Sequence, residues 1–258
     1  MSITIGATGL AGWTIIQRTE AKQLDLIAQS RSVQQATAYF REKITQIQNP
    51  ESLVKDYRLL NVALSSHGLE DDLQNRALIQ KVLESDLSDD KSLANRMADK
   101  RYLRLAQAFA FNSPEGPAAD LVDQISAAFV QREFERRVGE SDENMRLALN
   151  LRREMDHLAG RDSSDRTLWY EVMGNKPLRK VFEGAFGFGP HYGKLPVERQ
   201  LTEFMKASQR VLGSSSFAEI TKPEAVEKIV KNFLARSQIA ESQASNRYSA
   251  ALTLLQGG

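Results

Sequence analysis

The sequence predicts an all-α protein, and three observations carry that reading. Apolar residues recur at helical spacing through most of the 258 residues. Helix start and stop residues punctuate those runs. Alternating β-branched runs are nearly absent, with Ile3-Thr4-Ile5 the short exception. Counting the periodic segments gives about ten to twelve helices. They are expected in two packed helical subdomains joined through a long helix, with weakly packed helices at both ends.

In chain order, residues 1–30 form an N-terminal segment in which Trp13, Ile16, Leu24 and Ile27 lie near one helical face. A first subdomain is expected over residues 31–115. Within it Leu53, Tyr57, Leu60 and Leu64 form one stripe, entered through Asn49-Pro50-Glu51, an N-cap with proline at the first helical position. Gly68 after His67 reads as its left-handed stop. The clearest break is Asn112-Ser113-Pro114-Glu115-Gly116-Pro117. A second subdomain, residues 116–239, opens with a long helix over residues 118–138. Its stripe drifts from Leu121, Ile125 and Phe129 to Val130, Phe134 and Val138, as two successive packing partners would require. Ala148, Leu151, Met155 and Leu158 mark the next helix, entered through Ser141-Asp142 and closed by Gly160. Thr221 and Glu224 fit a capping box ahead of the stripe Val226, Ile229, Val230 and Phe233. The C-terminal tail, residues 240–258, carries Ala244, Tyr248, Ala251 and Leu255 at successive helical turns.

Composition excludes several function classes. With 34 basic and 33 acidic residues the net charge is +1, which is not that of a strongly basic nucleic-acid binder. The absence of cysteine excludes a disulfide scaffold, a thiol nucleophile and Cys-ligated metals. No run of about 18 apolar residues is present, so no transmembrane helix is expected. The first cation is Arg18, so the mildly apolar start lacks the positive region of a cleavable secretory signal.

The search for chemistry centres on Gly184-Ala185-Phe186-Gly187-Phe188-Gly189-Pro190-His191-Tyr192-Gly193-Lys194. A P-loop needs four residues between its glycines and a hydroxyl after the lysine; here the spacing differs and Leu195 takes the hydroxyl position. The segment reads as a helix end followed by a turn-rich loop. His67, His157 and His191 are far apart and lack metal-ligand spacing. Glu70-Asp71-Asp72 and Asp89-Asp90 sit near helix starts, where carboxylates favour the dipole. Arg132, Arg136, Arg137, Arg152 and Arg153 are interleaved with Glu133, Glu135 and Glu154, the pattern of a helix face laced with ion pairs. No catalytic, cofactor-binding or metal-binding residue is assigned. A non-enzymatic protein acting through protein–protein contacts is expected. The alternative is an enzyme or small-ligand-binding protein with a pocket near residues 184–194. Weak terminal helices bury little by themselves, so they either dock on the body, pair with each other or wait for a partner. For a partner or for self-association, Trp13, Ile16, Tyr248 and Leu255 are the expected anchors.

The two halves also echo each other. Residues 99–111 and 174–188 each join a basic helix start to a terminal Phe-x-Phe, and Ile47-Gln48-Asn49-Pro50-Glu51 parallels Ile220-Thr221-Lys222-Pro223-Glu224. Either an old duplication or recurring helix-start chemistry produces such pairs.

Several segments in a fixed order carry a resemblance. They are Gly9-Leu10-Ala11-Gly12-Trp13 with Gln17-Arg18-Thr19, Tyr39-Phe40-Arg41-Glu42-Lys43-Ile44, Lys55-Asp56-Tyr57-Arg58-Leu59-Leu60 with Gly68-Leu69, Lys81-Val82-Leu83-Glu84-Ser85-Asp86, Asp99-Lys100-Arg101-Tyr102 and Met145-Arg146-Leu147-Ala148-Leu149-Asn150. Together the chain resembles the alphaproteobacterial family catalogued as domain of unknown function 1217. That family's genes tend to lie among flagellar genes, so the resemblance implies a flagellar association, flagellar partners, and a location in the cytoplasm or on the flagellum. It brings no catalytic residues.

Overall fold

The computed structural model describes residues 6–189 and 191–256, with the side chains of residues 244–256 outside that description. Among the described residues the chain is all-α, with fourteen helices and no strand. They are α1 (Gly9–Ala28), α2 (Arg31–Lys43), α3 (Pro50–Lys55), α4 (Tyr57–His67), α5 (Arg76–Leu83), α6 (Leu93–Arg96), α7 (Arg101–Phe109), α8 (Leu121–Gly139), α9 (Glu143–Leu158), α10 (Asp165–Gly174), α11 (Lys176–Phe186), α12 (Val197–Leu212), α13 (Phe217–Ile220) and α14 (Pro223–Gln256). Short 3-10 turns occur at Ile44–Gln46, Glu70–Asp72 and Tyr192–Lys194. The strand-like Ile3-Thr4-Ile5 lies outside the described residues.

The chain forms two compact units, Arg18–Arg137 and Met1–Gln17 with Val138–Gly258. We call them the middle unit and the end unit. The division differs from the expected subdomains: residue 115 lies inside the middle unit, and the cuts fall within α1 and in the last turn of α8. Turn chemistry marks where a chain changes direction. Which helices then share a core is decided by packing between residues distant in sequence.

In the middle unit the stripe expected as one helix is two. Asn49 caps α3 by accepting from Ser52 N at 2.9 Å, and Gly68 closes α4 at φ 71°. Between them Asp56 leaves the helical region and accepts from the amides of Arg58 and Leu59 at 2.9 and 3.0 Å. The Tyr39 hydroxyl donates to the same carboxylate at 2.7 Å, which helps hold it below its usual range against the opposing effect of burial. Leu53, Leu60 and Leu64 are buried while Tyr57, at the new start, is exposed. The His67 ring nitrogen Nδ1 meets the Ala63 carbonyl at 2.9 Å, as its place in the last turn implied.

In the end unit Asp142 caps α9, accepting from Asn144 N and Met145 N, and the stripe Ala148, Leu151, Met155 and Leu158 is buried. The stripe Val226, Ile229, Val230 and Phe233 of α14 is likewise buried. The expected capping box ahead of it does not form. The Thr221 hydroxyl turns back to the Phe217 carbonyl at 2.6 Å, because the four-residue α13 ends there and offers an acceptor one turn behind.

Candidate interaction site at the chain ends

Trp13 and Ile16 sit on α1, which starts at Gly9 in a left-handed conformation (φ 58°). The Gly9 amide donates to Asp142 Oδ2 at 3.2 Å, so one carboxylate caps α9 and also holds the start of α1. A side chain at Gly9 would collide with Gln238 of α14, and one at Gly12 with the Ala7 carbonyl and Met145 of α9. The two glycines therefore let the helix approach its receptors closely. Trp13 is 1% exposed and Ile16 0%. The Trp13 indole N–H donates to the Glu227 carboxylate at 3.2 and 3.3 Å, and Gln17 donates to the same group at 2.9 Å. The Arg152 guanidinium lies 5.6 Å from the centre of the Trp13 ring.

This corrects the expected role of Trp13 and Ile16. Both are core residues of the end unit, so the first half of α1 is well packed and their side chains do not face a partner. Sequence reading missed Glu227 and Arg152. The usable signal was chemical: a buried indole needs an acceptor for its N–H. The position of that acceptor, 214 residues away, was not legible.

Tyr248 and Leu255 belong to α14, and their side chains lie outside the described residues. The last buried side chain described on α14 is Leu234. Residues 238–243 are exposed on every side of the helix, with Ile239 58% exposed, although Asn144 still donates to Glu241 at 2.7 Å.

In the segment 184–194, Ala185, Phe186 and Tyr192 are buried and Phe188 half-buried, whereas Gly187, Gly189, His191, Gly193 and Lys194 are exposed. Gly184 belongs to α11, where a side chain would meet the Phe233 ring at 2.7 Å, and Gly187 ends that helix at φ 74°. Phe188 stacks on Tyr192 with centroids 4.2 Å apart, and both rings pack against Phe204. The Tyr192 hydroxyl donates to the Gln200 carbonyl at 2.6 Å, and burial pushes that hydroxyl's pKa up. The rings of Phe186, Phe188, Tyr192 and Phe204 form one packed cluster on this side of the loop. An apolar hollow of about 290 Å³ lies in the middle unit, between Ile44, Ile47, Phe109, Phe111, Pro117 and Leu121, with no titratable side chain in its lining.

The basic region pairs internally. Glu133 is met by Arg136 at 2.8 Å and Arg137 at 2.9 Å, and Arg132 by Glu135 at 3.4 Å. Burial pushes the Glu133 carboxyl up, but the two arginines outweigh it and hold it below the usual range.

These features define an all-α protein of two helical units, in one of which the first helix lies against the last. The chain belongs to the family described as Protein of unknown function (DUF1217), whose model matches residues 66–226. It is similar to the X-ray crystal structure of protein AGR_C_984 from Agrobacterium tumefaciens, with 25% identity and a TM-score of 0.73. That likeness covers 93% of this chain and 96% of the other. No curated protein matches the chain. No helix among the described residues is long and apolar enough to cross a membrane.

Proposed function

We propose that this is a non-enzymatic, flagellum-associated protein that works by protein–protein contact, as a structural part or an assembly factor, with the C-terminal half of α14 as its binding element. One observation carries the reading: α14 is 34 residues long, yet Leu234 is the last buried side chain described on it. A helix of that length spans about 50 Å at about 1.5 Å per residue. Residues 238–243 of it are exposed, and the sequence that follows has the apolar spacing of an amphipathic element that a groove on a partner receives. The sequence there holds Tyr248 and Leu255 one face apart from the polar residues. The flagellar context comes from the family resemblance alone. The test has two parts. A deletion strain should lose normal motility, hook or filament assembly, and a chain truncated after Ser242 should fail to restore it while remaining folded. Normal filaments, hooks and swimming in the deletion strain would refute the proposal.

A further inference from the structure

The fourteen helices form two sets of seven in the same order, α1–α7 and α8–α14. Each set opens with a long helix, α1 with 20 residues and α8 with 19. In the first set one residue, Asp56, ends α3 and caps α4, at φ −85° and ψ 103°. In the second, Asn175 ends α10 and caps α11, at φ −89° and ψ 102°. α4 and α11 are both 11 residues long, and both close on a left-handed glycine, Gly68 (φ 71°, ψ 34°) and Gly187 (φ 74°, ψ 34°). Each is followed by a 3-10 turn and another helix, then by a four-residue helix after a serine: α6 after Ser92 and α13 after Ser216.

Burial repeats at four positions of one helix pair and five of another, although Leu60 and Leu64 are buried where their counterparts Arg179 and Glu183 are half-buried. Leu59, Val62, Ala63 and Ser66 of α4 correspond to Leu178, Val181, Phe182 and Ala185 of α11. Tyr102, Leu105, Ala106, Phe109 and Ala110 correspond at one constant spacing to Val226, Ile229, Val230, Phe233 and Leu234. The echoes read from sequence pair other helices, α7 with α11 and α3 with α14. Recurring cap chemistry accounts for those two, and the repeat is carried by different residues.

The compact units cut across these repeats. Residues 9–17 of α1 belong with α9–α14, whereas α8 as far as Arg137 belongs with α2–α7. The contacts agree. α1 brings Gly9 and Trp13 onto Asp142 and Glu227. α8 brings Arg137 onto Ser30 at 3.2 Å and Asp123 onto Arg41 at 2.7 Å, and sets the Arg132 guanidinium 2.7 Å from where a Gly68 side chain would begin. We propose that the chain is built from two copies of one seven-helix repeat that have exchanged segments of their first helices. The surface formed by α9 and α14 is thus a docking site for the first-helix segment of the opposite repeat.

The test uses the full chain with a protease site inserted between Asn112 and Pro117, in the connection between the repeats. After cleavage each piece holds part of both units. The pieces should co-elute as a one-to-one complex on native size exclusion and melt cooperatively. Trp13→Ala should speed their dissociation by more than about tenfold, the change produced by about 1.4 kcal/mol of lost anchoring. Glu227→Ala, which leaves the apolar core intact, should speed it in the same direction if Trp13→Ala prevents folding. Pieces that part on cleavage would overturn the proposal. So would a complex whose dissociation rate is unchanged by either substitution, since the exchanged segment would then contribute nothing to it.

Discussion

Ala110 is the one non-glycine residue described in the left-handed region, at φ 44°. It stands where the repeats diverge: its counterpart Leu234 continues a helix, whereas Ala110 turns the chain out of α7 toward α8. A left-handed alanine costs roughly 1–2 kcal/mol. Glycine removes that strain but gives back about 0.4–1 kcal/mol through a freer unfolded chain. Ala110→Gly should therefore raise stability by up to about 1 kcal/mol, read as a higher denaturant midpoint at unchanged slope. Two buried tyrosines contribute to the alkaline limb. Burial, then the hydrogen bond to Asp72, raises the pKa of Tyr102, and burial raises that of Tyr192. Both hydroxyls stay protonated in the fold at pH values where the unfolded chain, with pKa about 10, ionises. Their stabilisation is complete below about pH 10 and is lost as the pH climbs from there toward the folded-state value. Tyr192→Phe gives up the bond to the Gln200 carbonyl and so lowers stability at neutral pH. Its thermal midpoint should then fall less steeply than the parent's above pH 10.

Among the elements, α9 and the start of α3 were legible because their signals are local: an N-cap side chain, a proline at the first turn, a stripe one face wide. The break at Asp56 was not, because Leu53, Tyr57, Leu60 and Leu64 keep helical spacing straight through it. Periodicity records which residues point inward; it is blind to a carboxylate that finds two amides and a tyrosine hydroxyl by leaving the helix. The long reach of α14 was hidden for a related reason, since residues poor in large apolar side chains can continue a helix without burying anything. The paired caps give a symmetric prediction. Asp56→Ala and Asn175→Ala each remove the side-chain acceptor at the start of an 11-residue helix, so each should cost about 1 kcal/mol. Asp56→Ala should cost somewhat more, because the Tyr39 hydroxyl also loses its partner. Paired chemical denaturation of the two variants checks both the size and the order.

At the scale of the whole molecule the two chain ends differ in kind, although their sequences read alike. Both carry short apolar stripes with about one large residue per turn. By area alone each stripe is near balance, since a buried large side chain stabilises by about 1.5–3 kcal/mol and ordering a residue costs roughly 1–2 kcal/mol. What separates them is the surface each one meets. Trp13, in the part of the N-terminal stripe that belongs to the end unit, meets α9 and α14 and gains a carboxylate for its indole N–H and a guanidinium near its ring. None of that could be read from residues 1–30. The C-terminal stripe begins beyond the exposed turn at residues 238–243. Deleting residues 1–17 should therefore destabilise the end unit by several kcal/mol, with about 3–5 kcal/mol from the loss of Trp13 alone, seen as a lower melting midpoint. Truncation after Ser242 should leave the melting profile within about 2 °C of the parent, in keeping with a surface change of less than about 0.5 kcal/mol. A truncated chain that melts far lower would place the end of α14 in the core. A deletion of residues 1–17 that melts like the parent would mean that the buried Trp13 and Ile16 contribute nothing to the end unit.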